Sequence, residues 1–403
     1  MKTIIILGDG MADEPIGSLG GLTPLQYAKT PWMDRLASEG VTGRLQTVPL
    51  GYHPGSEVAN LSVLGYNLGE VFEGRGVLEA AAMGVELRAG ELALRCNLIC
   101  VEGGRIKNHS AGHISTAEAG ELVDYLNAEL AGEYVKIYKG VSYRHLLVMK
   151  GGDKRLACTP PHDVPGASFE GYLVKPEAPE ASWTASELNK LIHRSQELLA
   201  SHPVNVRRVS AGKDAANSIW PWSPGYRPAM QTLSAMYGFK SGAVISAVDL
   251  IRGIGVYAGL RPIYVEGATG LYDTNYEGKA SAAVAALAEH EFVYLHVEAS
   301  DEAGHEGDVG LKIRTIENLD SRVVGPVYES VQGWKEGVAI AVLPDHPTPC
   351  ALRTHTSEAV PFVIYKPGCE ADEVRRFDEK SVEKGGYGQL AGAEFMGKIV
   401  SRR

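Results

Sequence analysis

Three short apolar runs, each stopping at a carboxylate, constrain this chain more than any other feature. Thr3–Leu7 leads into Gly8-Asp9, Phe292–Val297 into Glu298-Ala-Ser-Asp301, and Val338–Leu343 into Pro344-Asp345-His346. Apolar runs of this length without alternation fit strands buried on both faces, and the amphipathic stretches between them fit helices that cover those faces. The fold expected is therefore α/β: a mainly parallel sheet flanked by helices. In an open sheet of this kind ligands bind beyond the carboxyl ends of the strands, so side chains far apart in sequence can converge on one crevice.

Punctuation along the chain supports the same layout. Thr30-Pro31 predicts an N-cap followed by proline at the first helical position, and Gly40 predicts a C′ residue closing WMDRLASEG. Similar start signals mark Thr315 onward. From about residue 78 to about 206 the pattern changes, with β-like runs at Tyr134–Tyr138 and His145–Met149 and a Pro- and Glu-rich, linker-like stretch at Lys175–Ser182. This divides the chain into a discontinuous core, residues 1–77 and 207–403, and an inserted smaller α/β domain, residues 78–206.

Charge and cysteine content narrow the function classes. Of 403 residues 44% are hydrophobic and 22% charged, enough apolar material for two cores. A net charge of −10 repels nucleic acid and anionic membrane, so a phosphate-bearing ligand would need a local positive site. No run approaches the roughly 20 apolar residues of a membrane helix, and Ile4–Leu7 is too short for a signal segment. The five cysteines form no close CxxC pair, which points to a reducing, cytoplasmic setting.

Seven residues carry the chemistry: Asp9, Ser56, Asp301, His305, Asp345, His346 and His355. Taken singly, an Asp after a strand is an ordinary turn or cap residue and a lone His an ordinary core or surface group. Their conjunction argues otherwise, since DxxxH at Asp301–His305, DH at Asp345-His346 and His355 all gather beside strand ends in the last third. Carboxylate oxygens with imidazole nitrogens suit manganese, zinc or iron better than calcium, and two such ions can clamp a phosphoryl group while activating a nucleophile. Ser56 follows Pro54-Gly55 and precedes an apolar helical pattern at Val58, Leu61 and Leu64. That places its hydroxyl at a helix N-terminus, where free N–H groups and the helix dipole favour an alkoxide or a phosphate.

The stretches GDGMAD, TPWMDRLASEG, HPGSEVANLSVLGY, GRGVLEA, RCN, GATGLYDTNYEGKA, SDEAGHEGD and PDHPTPCALRTHTSEAVPF resemble the archaeal-type cofactor-independent phosphoglycerate mutases of the alkaline phosphatase superfamily. The likeness runs over nearly the whole chain. It implies two divalent metal ions, manganese foremost, with zinc, cobalt, iron or magnesium as alternatives. By the same likeness Asp9, Ser56, Asp345 and His346 would hold one ion and Asp301, His305 and His355 the other. Ser56 would become a phosphoserine while 3-phosphoglycerate is converted into 2-phosphoglycerate. The inserted domain would act as a lid against water. The partner implied is a small phosphorylated metabolite, held by candidates Arg75, Arg95, Lys107, Arg144, His145 and Lys240, with arginine favoured for its planar fork. One segment departs from the archaeal pattern: where an arginine-rich run is usual, this chain reads IKNHSAGHIST at Ile106–Thr116. That wording is similar to a subgroup proposed to act as homoserine kinase. Both readings stay open at this level, although no GxxxxGK[ST] phosphate loop is present.

Overall fold

A computed structural model describes residues 1–130 and 134–401. Its strands are, in chain order, β1 (Lys2–Gly8), β2 (Val41–Gln46), β3 (Glu91–Glu102), β4 (Arg105–Asn108), β5 (Val135–Tyr138), β6 (Arg144–Lys150), β7 (Leu156–Ala157), β8 (Lys175–Pro176), β9 (Ser218–Gly225), β10 (Gly242–Ile245), β11 (Arg261–Ile263), β12 (Phe292–Val297), β13 (Val338–Leu343), β14 (Val360–Tyr365) and β15 (Gln389–Ala391). The chain separates into two compact units, residues 1–72 with 229–403 and residues 73–228.

The first unit is built on a sheet of order β11-β10-β12-β1-β13-β14-β2-β15. Its centre is parallel: β1 lies between β12 and β13, and β10 continues the run beyond β12. Only β14 runs against its neighbours, pairing antiparallel with both β13 and β2. The register decides where the chemistry falls, because Leu7 pairs with His296 on one side and with Leu343 on the other. The three strands therefore end level, and the carboxylates that follow them emerge along one edge. Alternation on β12 sorts its side chains. Val293, Leu295 and Val297 join the main core with Ile4, Ile6, Ile340 and Val342, while Tyr294 and His296 take the opposite face.

The helix Pro31–Glu39 forms as expected, but its ends are made differently. Thr30 makes no side-chain cap; Asp320 accepts from the backbone N–H of Met33 at 2.7 Å and of Trp32 at 3.3 Å instead. A buried carboxylate from a distant segment thus satisfies the free donors of the first turn. Gly40 is extended, not left-handed, with φ of −126°. Its glycine is explained by close approach, since a Cβ there would stand 2.7 Å from the Ile364 carbonyl oxygen and 2.8 Å from that of Leu36. The start expected near Thr315 falls inside the helix Val309–Leu319, which Asp308 caps by accepting from Leu311 N–H at 2.8 Å.

The second unit is an antiparallel sheet of order β4-β3-β6-β5, with β9 on the other side of β3. The helices Thr116–Leu130 and Ser182–Leu199 cover one face, closing a core around Leu94, Leu98, Leu122, Leu147 and Leu188. This unit is wider than the 78–206 insertion expected from the sequence. β9 belongs to its sheet, and the helix Arg75–Ala82 packs on β3 and β9. The stretch Lys175–Ser182 is largely exposed and lies within the unit, not at its border.

Candidate metal and phosphotransfer site

All seven residues singled out for chemistry meet at the carboxyl edge of the first unit's sheet. Asp9 leaves β1 and Asp345 leaves β13; Asp301 opens the helix Ala299–Glu306, and His305 lies one turn further along it. His346 Nε2 stands 3.5 Å from Asp345 Oδ2 and 3.6 Å from Asp9 Oδ1. His305 Nε2 lies 3.2 Å from Asp301 Oδ2, and His355 Nε2 lies 3.3 Å from Asp301 Oδ1 and 2.9 Å from His305 Nε2.

Two clusters have metal-ligand geometry, Asp9–Asp345–His346 and Asp301–His346–His355, each with its ligand atoms within 4.8 Å of one another. His346 is common to both. The division inferred from family resemblance gave His346 to the first ion alone; the geometry places it between the two groups, its ring packed 4.0 Å from that of His355.

Ser56 is the first residue of the helix Ser56–Val63, and Gly55 is its N-cap. Its hydroxyl sits 3.3 Å from His346 Nε2. As the first helical residue and not the N-cap, Ser56 turns its hydroxyl toward that imidazole.

Electrostatics decides what the site can hold. Asp9, Asp301 and Asp345 are all buried, and among the described residues no Lys or Arg forms an ion pair with any of them. Asp9 Oδ1 is buried without a hydrogen-bond partner. Burial, then repulsion from Asp345, Asp301 and Glu298, pushes the Asp9 carboxyl well above its ordinary range. Burial acts on Asp301 in the same sense, yet hydrogen bonds from His305 and His355 hold it well below. Buried carboxylates lacking a cationic partner are costly, and hard oxygen donors beside imidazole nitrogens fit divalent cations. The donor set therefore fits metal ions on the chemistry of its own groups.

Several supporting residues carried no signal in the sequence. His296, buried on β12, brings Nε2 to 3.0 Å from Asp9 Oδ2, close in distance though not aligned as a hydrogen bond. Thr348 donates to Asp301 Oδ1 at 2.5 Å. Gly10 has φ of +60°, and a Cβ there would collide with Asp301 Oδ1 and Thr348 Oγ1, each at 2.6 Å. Its N–H donates to Asp345 Oδ1 at 3.1 Å, so glycine is needed both for the turn and for the approach. Asn60 Nδ2 donates to Asp345 Oδ2 at 2.9 Å and to the Ser56 carbonyl oxygen at 2.8 Å, while Asn60 Oδ1 accepts from Tyr294 at 2.5 Å. Gly10, Asn60 and Thr348 lie within stretches already singled out; a Tyr and a His on a buried strand read as core.

The candidates for anion binding are distributed differently. In the second unit Arg95 is largely buried, pairs with Glu79 at 3.2 Å and stacks 4.3 Å over Trp222. Burial lowers the Arg95 pKa, against the opposing pull of Glu79 and with Arg75 and Arg144 acting in the same sense. Arg75 Nε is buried without a hydrogen-bond partner. Arg144 is exposed beside Tyr143, and Lys107 is exposed and paired with Glu102 and Asp214. His145 is 4% exposed, its Nδ1 accepting from Gly140 N–H at 3.1 Å. Lys240 is not brought to the metal site. It precedes β10, whose first residue pairs with the first residue of β12, and so lies at the amino edge of the sheet, highly exposed beside Glu291.

A mainly parallel sheet with this cluster at its carboxyl edge and a serine at a helix N-terminus defines an α/β protein with a candidate divalent-metal site. Comparison with known proteins narrows that class. Residues 37–205 match the family described as 2,3-bisphosphoglycerate-independent phosphoglycerate mutase. The mutase of that name from Methanosarcina acetivorans is 50% identical over 403 residues, 99% of this chain and 100% of the relative. A probable mutase of the same kind from Geobacter sulfurreducens is 47% identical over 407 residues, 100% of both. Among solved structures, a Pyrococcus horikoshii protein aligns with a TM-score of 0.83 and 31% identity over 100% of this chain and 98% of that one. The cofactor-independent phosphoglycerate mutase of Thermoplasma acidophilum aligns with a TM-score of 0.71 and 27% identity over 99% of each. The chain belongs to the 2,3-bisphosphoglycerate-independent phosphoglycerate mutase family.

Proposed function

We propose that this protein interconverts 3-phosphoglycerate and 2-phosphoglycerate through a phosphoserine at Ser56. The observation that carries the reading is the Ser56 hydroxyl, 3.3 Å from His346 Nε2, at a helix N-terminus beside three buried carboxylates. Asp9, Asp345 and His346, with Asp301, His305 and His355, would hold two divalent ions, manganese foremost. When bound, these supply Lewis acidity to the phosphoryl oxygens and lower the pKa of the serine hydroxyl.

Ser56 Oγ gives up its proton as it attacks phosphorus, the bond from phosphorus to the 3-oxygen breaks, and that oxygen leaves as a hydroxyl by taking up a proton. Glycerate turns within the site, its 2-hydroxyl gives up its proton as it attacks the phosphoserine, the bond from phosphorus to Ser56 Oγ breaks, and Ser56 Oγ takes up a proton to regenerate the hydroxyl. The N–H groups of the first helical turn stabilise the charge that develops on the transferring group. Cytoplasmic location is part of the reading and is supported by five free cysteines; among the described residues no helix is long and apolar enough to cross a membrane.

Full-length relatives named as mutases favour this reading over the kinase suggested by IKNHSAGHIST. Manganese-loaded protein should isomerise 3-phosphoglycerate with no added bisphosphoglycerate and form no O-phosphohomoserine from ATP and homoserine. The opposite pair of results would replace the mutase with the kinase.

A further inference from the structure

We infer that Tyr294 and Asn60 are positioning residues: the tyrosine hydroxyl fixes the Asn60 amide, and that amide aims the Asp345 carboxylate while tethering the first turn of the Ser56 helix. The inference rests on the reading of Asp345 as a metal ligand.

The hydrogen-bond inventory of the amide leaves no freedom. Both N–H groups of Asn60 are used, one on the Ser56 carbonyl and one on Asp345 Oδ2, and its oxygen accepts from Tyr294. A flipped amide would set its oxygen against two acceptors, leaving buried groups unpaired. Asp345 is fixed from its other side as well, since Oδ1 accepts from Gly10 N–H at 3.1 Å and from His346 N–H at 2.9 Å. With those positions filled, what remains of Oδ2 is directed toward His346 and Asp9. Asn60 and Asp345 are 0% exposed and Tyr294 1%, so water cannot replace a lost member of the chain. Phenylalanine would fill the same space on β12; the hydroxyl is what requires the acceptor that Asn60 provides.

The test is Tyr294→Phe, with Mn2+ titrated calorimetrically into metal-free protein. One Mn2+ position should weaken by about 10- to 100-fold, the range seen when groups orienting metal ligands are removed. kcat should fall while KM for 3-phosphoglycerate stays within about twofold, and excess Mn2+ should restore part of the activity. Asn60→Ala should do the same more severely. The double variant should be no worse than Asn60→Ala alone, because both residues act through one amide. Thermal unfolding in chelator should show Tyr294→Phe lowered only by the loss of one buried hydrogen bond and still fully folded at the titration temperature, which separates aim from collapse of the fold. Parental Mn2+ affinity in Tyr294→Phe, or full additivity in the double variant, overturns the inference. If the parent itself takes up no Mn2+, the reading of Asp345 as a ligand fails first.

Discussion

Ser56 Oγ and His346 Nε2 stand 3.3 Å apart, and the His346 ring also packs against His355. One imidazole thus touches the proposed nucleophile and both groups of ligand side chains. Ser56→Ala removes the oxygen that would carry the phosphoryl group without disturbing a ligand carboxylate or imidazole. Turnover should fall by at least about a thousandfold with metal content and melting temperature little changed. Activity within about tenfold of the parent, read in a 3-phosphoglycerate assay, would rule out covalent catalysis at this serine.

His355 contributes its Nε2 to the Asp301 side of the site. His355→Ala should lower bound metal from about two equivalents toward about one, measured by elemental analysis after gel filtration. The group formed by Asp9, Asp345 and His346 does not include it. Unchanged stoichiometry would take His355 out of the ligand set.

Behind the site, Lys312 is 0% exposed, with Nζ donating to Asp13 Oδ2 at 2.8 Å, to Thr348 O at 2.8 Å and to Ala12 O at 3.0 Å. Lys312→Met leaves a buried carboxylate uncompensated, a change that costs about 3–5 kcal/mol. The denaturation midpoint should drop accordingly, and adding Asp13→Leu should recover most of the loss. No drop in the single variant would mean that Asp13 finds another partner or takes up a proton at little cost.

His145 gives a pH signature in the second unit. Burial lowers its pKa from an ordinary 6.5 to about 4 in the folded protein, so folding favours the neutral ring. Its stabilising contribution is complete above pH 6.5 and is lost as pH falls toward about 4, a change of roughly 3 kcal/mol at most. Urea unfolding at pH 7 and pH 5 should differ less in His145→Asn than in the parent. Equal differences would place the titration elsewhere.

How much of this was legible beforehand differs from residue to residue. Asp9, Asp301 and Asp345 could be found because each follows an apolar run, and burial forces such runs into a parallel sheet whose carboxyl edge gathers what comes next. Ser56 could be found because Pro54-Gly55 announces a helix start. Lys240 was misjudged because charge alone does not say at which end of a strand a residue lies. Thr30 holds the N-cap position of Pro31–Glu39 as its sequence signal says, but the bond that meets the free N–H groups comes from Asp320, nearly three hundred positions away, which no local pattern reveals.

The sequence by itself determined the fold class, the residue types of the site and the edge of the sheet at which they collect, since periodicity and strand punctuation are local and follow from burial. Only the tertiary structure decided that His346 stands between both ligand groups and that Gly10 lets two loops touch. It alone linked Tyr294 through Asn60 to Asp345. Those relations depend on strand register and helix placement to within an ångström or so, and hydrogen bonds between residues hundreds of positions apart leave no periodic trace along the chain.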